Sequence, residues 1–265
     1  MKKREDEFYI GYVDGIGQHT KKTVRQFVLF GLLAVILIAS IFAFTQNRFK
    51  NSTFELATTT KIMGVYHENP YPMLKVKTGE NTFKNILLLG FGKFSANPYL
   101  KKIRNKSGSI SGSMISIEGN LIYYNGKTLL QITNDEKVTL LETGQAHQAP
   151  RPSTIAKNME LKGEIVDPKC YFGVMKPGKG KIHRSCAALC ISGGIPPVLV
   201  TSDDNNISEY YQITDQNGKA IHKDILPFIG KPSLLSGQIV QLEDWYQIRI
   251  DVNTIQELDL PSRIY

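Results

Sequence analysis

The sequence predicts a mainly β protein: an N-terminal transmembrane helix followed by two small β-barrel units, the second carrying a Cys/His-bearing insertion. Three observations lead there. Residues 27–44 run without a charge or a proline. Past residue 51 the chain turns to short β-branched and aromatic runs separated by Gly, Asn and Asp, the pattern of strands and turns. Those runs fall into two sets whose residues can be laid on one another, as in a duplicated unit.

At 265 residues the chain is long enough for one large or two small domains with cores of their own. Its uncharged stretch, extended over the polar edges, covers residues 26–47, enough to cross a hydrocarbon layer. A cleavable signal peptide would have a shorter apolar region and small residues at a cleavage site. A buried core helix would show a polar face. The run fits a retained anchor better than either. Lys2, Lys3, Arg4, Lys21, Lys22 and Arg25 precede it, whereas Arg48, Lys50 and Lys61 come after it. Counting positive charges therefore leaves residues 1–25 in the cytoplasm and exports the chain beyond residue 47, to a periplasmic or extracellular location at the cytoplasmic (inner) membrane. The formal charge is +8, of which +2 lies in the first 25 residues and +6 beyond. On that side of a membrane nucleic acid is not an expected partner. Anionic head groups or an acidic protein face suit a basic domain better, and solubility alone is the plain alternative.

The exported part divides into a first unit at 48–142, a linker at 143–159 and a second unit at 160–265. Strands are expected at 61–66, 73–77, 85–89, 116–124 and 127–133, then at 160–167, 198–201, 209–214, 235–242 and 245–252. Asn125-Gly126 and Glu243-Asp244 supply hairpin turns. The stretch from Ile117 to Ile132 aligns without a gap on that from Leu235 to Ile250. Met63-Gly64-Val65 matches Lys162-Gly163-Glu164, Pro72-Met73-Leu74 matches Pro197-Val198-Leu199, and Gly92-Lys93 is laid on Gly218-Lys219. Each unit then has five strands with a short helical piece, at 98–102 or 224–228, before the last hairpin. That is the layout of a small OB-like barrel. In the first unit Pro70 is followed almost at once by Pro72, whereas the second has residues 168–196 at the same point. The surplus is an insertion between strands one and two, and insertions on rigid scaffolds often carry function.

All three cysteines lie in that insertion, spaced Cys170-x12-His183-x2-Cys186-x3-Cys190. A helix over 185–192, ended by Gly193 and Gly194, puts Cys186 and Cys190 one turn apart on one face. His183 reaches the same side, and Cys170 closes the set across a glycine-rich loop. Three thiolates and an imidazole make a tetrahedral shell for zinc, and soft sulfur also suits copper, with Met175 as an added thioether. Three other readings stay open. An exported disulfide would pair Cys170 with Cys186 or Cys190 and leave one thiol over. A redox site would use Cys186 as attacking thiolate, with Ser185 as N-cap and Lys169, Lys176, Lys179, Lys181 and Arg184 as positive surroundings. Iron–sulfur ligation is the third. Gly178-Lys179-Gly180-Lys181 lacks the spacing of a phosphate-binding loop, no C-x-x-C-H is present for covalent haem, and no G-x-S-x-G elbow is present.

His67-Glu68-Asn69-Pro70-Tyr71 is an H-x3-Y sequence in an anchored, exported, OB-like chain. This resembles the periplasmic haem chaperone of cytochrome c maturation, which implies one N-terminal span, an OB barrel and haem attachment through His67 and Tyr71. Here the pair precedes the second strand instead of following the barrel, and a polar residue in a turn is the simpler account. Cys186-x3-Cys190 with His183 is similar to the copper motifs of cytochrome oxidase assembly factors, whose thioredoxin-like fold this sequence does not show. The insertion also resembles a type found in single-span, membrane-anchored bacterial proteins, which implies no function. Tyr123, Tyr124, Trp245 and Tyr246 occupy hairpin positions in both units and read as cross-strand packing before a binding face.

The sequence thus leads to an exported, membrane-anchored, zinc- or copper-binding accessory or assembly protein of a membrane redox complex, rather than an enzyme. The alternatives are a thiol–disulfide protein using Cys186 and a structural module with a disulfide-stapled loop.

Overall fold

The computed structural model describes residues 17–45, 52–142, 153–173, 175–202 and 208–259. Most of the expected cytoplasmic segment, 1–16, and most of the expected linker, 143–152, lie outside the described residues. The chain separates into two units, the helical residues up to Arg48 and a body from Phe49 onward.

Helix α1 (Gln18–Thr45) has 28 residues, no buried side chain, and a mean hydropathy of 2.9 in its most apolar window. At about 1.5 Å per residue it is long enough to cross a membrane. It begins at Gln18 and not at residue 26, because Lys21, Lys22 and Arg25 are good helix formers although they are poor lipid-facing residues.

The body opens with the short strand β1 (Thr53–Phe54) and continues with β2 (Thr60–His67), β3 (Met73–Lys77) and β4 (Phe83–Gly90). Helix α2 (Asn97–Ser107) leads to β5 (Met114–Tyr124), β6 (Lys127–Ile132) and β7 (Val138–Glu142). The second half holds β8 (Ser153–Val166), helix α3 (Pro168–Phe172), helix α4 (Arg184–Ser192), β9 (Val198–Ser202) and β10 (Ser208–Asp215). A 3₁₀ turn at Leu226–Phe228 precedes β11 (Pro232–Leu242), β12 (Trp245–Ile250) and β13 (Gln256–Glu257).

Each half closes a five-stranded barrel by the same scheme. In the first, β2, β3 and β4 pair antiparallel in turn, β4 runs parallel to β6, and β5 joins β6 to β2. The second repeats this with β8, β9, β10, β12 and β11. A helix before the fourth strand and a parallel third–fifth pair give the OB-like arrangement. Strands β1, β7 and β13 are short additions along β5 and β11.

Glycines show how literal the repeat is. A Cβ on Gly119 would lie 2.3 Å from the Gln131 carbonyl oxygen, and one on Gly237 would lie 2.3 Å from that of Arg249. Gly64 and Gly163 are crowded in the same way by Lys75 and Val200. These are the positions the sequence alignment pairs, and at each the backbones of two strands cross too closely for a side chain. The Gly92-Lys93 match with Gly218-Lys219 is one residue out of register. The bridges Leu89–Ser95 and Thr214–Ala220 and the bonds Gly90 N–Phe94 O and Asp215 N–Lys219 O set Lys93 against Gly218. Both glycines have positive φ in these turns, Gly92 at 65° and Gly218 at 78°, so turn chemistry shifted the apparent match.

Three clusters of buried side chains fill the body. One lies inside the first barrel, around Tyr66, Leu88, Leu100 and Ile117, and another inside the second, around Ile165, Leu199, Ile213 and Ile248. The third lies between the barrels and draws on both: Tyr71, Met73 and Leu87 from the first, Phe172, Cys190, Tyr210 and Trp245 from the second. Hydrogen bonds exchange reciprocally across it. The hairpin turn of the second barrel reaches strand β4, where Asp244 Oδ1 accepts from Asn85 N at 2.8 Å and Trp245 Nε1 donates to Asn85 O at 3.0 Å. The hairpin turn of the first reaches β10, where Asn125 Nδ2 donates to the Tyr210 hydroxyl at 2.9 Å.

Candidate metal centre

The connection between β8 and β9 is the Cys/His insertion, and its order starts with Asp167-Pro168. Asp167 is the N-cap of α3: its Oδ1 accepts from Cys170 N at 3.2 Å, and Pro168 occupies the first turn, where a missing N–H costs nothing. This short helix fixes Cys170. Helix α4 begins at Arg184 with His183 at its N-cap, so Ser185 lies inside the first turn and is not the cap expected from sequence. Cys186 and Cys190 follow one turn apart, and Gly193 N returns to Leu189 O at 3.1 Å. Gly194, at φ 93°, then carries the chain toward β9.

Two overlapping triads take in the four sequence-selected residues and Asp167. One ligand atom each from Cys170, His183 and Cys186 lies within 4.8 Å of the others, and the same holds for Asp167, Cys170 and Cys190. The two triads share Cys170. Sulfur atoms bound to one tetrahedral zinc at about 2.3 Å stand about 3.8 Å apart, and neither triad holds Cys190 together with His183 or Cys186. All three cysteines are free thiols. His183 and Cys190 are buried, Cys170 and Cys186 half-buried, and Asp167 is fully buried.

The electrostatics ask for a cation. His183 Nε2 and Asp167 Oδ2 are both buried without a hydrogen-bond partner and face each other at 3.7 Å. Orphaned polar atoms of this kind are costly in a folded protein. The Cys170 thiol is pushed well above its ordinary value by its hydrogen bond with Cys190, by burial and by the Asp167 carboxylate. Three sulfurs and a carboxylate packed this closely cannot all ionise unless a positive charge enters among them.

Some positive charge arrives from the other barrel. Lys93, on the loop between β4 and α2, places Nζ 3.5 Å from Cys186 Sγ. Loss of solvent opposes its ammonium form, yet the hydrogen bond to Cys186 and the nearby Cys190 and Cys170 raise its pKa overall. Lys169 donates to the Gly90 and Gly92 carbonyls at 2.8 and 2.7 Å. Desolvation lowers its pKa, with Asp167 acting in the opposite sense. Lys176 donates to Tyr171 O at 2.5 Å and Arg184 to Gly230 O at 3.1 Å. Three of the basic residues expected around Cys186 therefore hold the loop in place. The remaining clasp is Ser95 N to Gly193 O at 3.1 Å, while Gly180 N donates to Glu164. Burial raises the Glu164 pKa against that bond.

Sequence spacing alone missed Asp167 and Lys93. The first had a signal, since Asp-Pro before a cysteine is an N-cap followed by a first-turn proline. The second had none, because it comes from the other barrel.

His67 and Tyr71 do not form a ligand pair at the surface. His67 is buried at the end of β2, its pKa lowered to about 4 by burial and by Lys75. The Tyr71 hydroxyl donates to Ile213 O at 2.5 Å and accepts from Ile221 N at 3.2 Å, joining the two barrels. Trp245 is fully buried, and Tyr124 packs against Tyr171 and Phe172, so these hairpin aromatics serve packing. No known family model matches the chain, and no curated protein matches it.

Proposed function

We propose that this is an exported metal-binding protein, held at the cytoplasmic membrane by α1 and serving as an accessory or assembly factor of a membrane redox complex. Cys170, His183, Cys186 and Cys190 would hold one zinc or copper ion. Asp167 would orient His183 or lend a carboxylate oxygen. The carrying observation is the pair of triads on Cys170 together with the unpartnered His183 Nε2 and Asp167 Oδ2. The bound ion would supply the positive charge that lets closely packed thiols ionise. The chain's own residues fix the donors on two short helices and hold the face with Lys93.

Two features support a binding role over catalysis by a bare thiol. The ligands are mostly withdrawn from solvent, and the loop is clasped at one end by the Lys169 ammonium and at the other by the Ser95 N to Gly193 O bond. The six basic residues before residue 26, against three soon after the apolar run, support an N-terminus in the cytoplasm, with the body periplasmic or extracellular. The membrane redox partner rests on the ligand chemistry and the anchor together.

The full chain, purified in detergent without reductant or added metal, tests the reading by elemental analysis with thiol counting. About one ion per chain is expected, with all three thiols of Cys170, Cys186 and Cys190 recovered after chelation and denaturation. Cys186→Ala and His183→Ala should each lose stoichiometric metal. Absence of metal with a single free thiol would overturn the reading in favour of a Cys170–Cys190 disulfide, the pair already joined by a hydrogen bond.

A further inference from the structure

Eight large apolar side chains of the body stand exposed among the described residues, and five of them, Phe91, Phe94, Met175, Ile182 and Leu189, belong to the insertion or to the loop clasped against it. Phe91 and Phe94 flank Lys93, whose ammonium reaches Cys186. Leu189 lies on the next turn of α4, just before Gly193, which receives Ser95 N. The apolar residues therefore rim the candidate metal centre.

Charge in the same segments has one sign. Residues 91–107 contain five Lys or Arg and residues 168–192 another five, with no Asp or Glu in either. Lys102 and Arg104 pair with Asp135 and Glu68, which leaves Lys93 and Lys181 as the cations beside the apolar residues. Exposed aromatic and aliphatic side chains set among lysines suit the boundary between head groups and acyl chains, where apolar bodies sink and ammonium groups stay wet. Each lysine held near an anionic leaflet strengthens the attraction.

The chain enters the body beside the insertion. The Ser52 hydroxyl donates to the Gly173 carbonyl, at the end of α3, at 2.9 Å. Seven peptide steps lead from Thr45 at the end of α1 to Ser52, a tether of at most about 25 Å. A tether this short keeps the body within reach of a bilayer, the anionic surface that an apolar, cationic rim suits.

We infer that the rim formed by Phe91, Phe94, Ile182 and Leu189, with Lys93 and Lys181, docks on the anionic lipid surface of the membrane that α1 anchors. The cysteine centre then faces the head-group layer, where a membrane-embedded partner would meet it. This inference rests on α1 spanning a membrane but not on the identity of the metal.

The test uses the full chain in vesicles of phosphatidylglycerol and phosphatidylcholine in equal parts, with or without bromine on the acyl chains. Phe94→Trp and Leu189→Trp place reporters on the rim, and Met63→Trp places one on β2, 60% exposed and outside it. Trp245 is fully buried and gives the background emission. Brominated lipid should quench the two rim reporters and spare Met63→Trp, with quenching reduced by Lys93→Glu or by phosphatidylcholine alone. Equal quenching at all three sites, or none at the rim, overturns the docking surface. Crosslinking of an unquenched rim to a protein would overturn it in favour of a protein partner. Flotation after an alkaline wash reports the anchor separately: a chain that fails to float defeats the membrane span itself, whereas a floating, unquenched chain defeats only the docking.

Discussion

The two barrels share strand order, glycine crossings and hairpin positions, yet their links between first and second strands differ completely. In the first barrel the link is the five residues between His67 and Met73, and Tyr71 is the side chain in it that bonds the other barrel. In the second it runs from Asp167 to Pro197 and carries two helices and every cysteine. Both links do the same structural work from opposite sides. Tyr71 bonds Ile213 and Ile221 near the third strand of the second barrel, while Lys169 and Gly193 bond Gly90, Gly92 and Ser95 at the end of the third strand of the first. The duplicated scaffold thus offered two equivalent interface loops. One stayed a plain tyrosine latch, and the other acquired chemistry without giving up its latch.

That equivalence can be broken most severely at the shared core. Trp245→Ala should cost about 3–5 kcal/mol, since the residue is fully buried between the barrels. Denaturant unfolding of the body should remain one transition, followed by tyrosine and far-ultraviolet signals together. Two separated transitions would show barrels that fold alone and an interface that only decorates them.

Next comes the strand crossing. Gly119→Ala and Gly237→Ala each push a methyl into a carbonyl oxygen 2.3 Å away, and each should lose about 1–3 kcal/mol through forced backbone shifts. Chemical denaturation of both variants checks the repeat, because a marked inequality would mean that the two crossings are not the same device.

Tyr71→Phe removes one hydroxyl and leaves Ile221 N and Ile213 O without it, for about 1–3 kcal/mol. Metal content should be unchanged. A loss of metal in this variant would show that the tyrosine latch and the cysteine loop are coupled, contrary to two links that act independently.

The smallest effect concerns acid. His67 aligns with Val166, so only the first barrel has a titratable residue there. Its folded pKa of about 4 lies below the ordinary 6.5, so the unfolded chain binds the extra proton first as pH falls. Its contribution is complete above pH 6.5 and is lost as pH drops toward 4, by about 1 kcal/mol after solvent screening. His67→Val should flatten this part of the stability–pH curve, and thermal melts between pH 4 and 7 would measure it.

Much of the fold was legible because its signals are local. Alternating apolar runs, Asn125-Gly126 and the repeated glycines each report a constraint within a few residues, and the excess length between the proline pairs marked the insertion. The four candidate ligand positions stood out for the same reason, since Cys and His cluster within 21 residues. Helix boundaries were less so: His183 caps α4 in place of Ser185, and neither supplies a side-chain cap bond that a pattern would have revealed. The basic residues were legible only in part. Sequence proximity put Lys169, Lys176 and Arg184 near the cysteines, and each also donates to a backbone carbonyl.

The sequence by itself determined the span-length helix, two β units of one plan, and the choice of soft ligands, because residue type and spacing carry those directly. Tertiary structure alone decided that the barrels share a third core, that Lys93 crosses from one barrel to meet Cys186 of the other, and that Asp167 faces His183. Those pairings join residues tens of positions or a whole domain apart in the chain. No periodicity encodes them, and only burial of both barrels against each other brings the groups within reach.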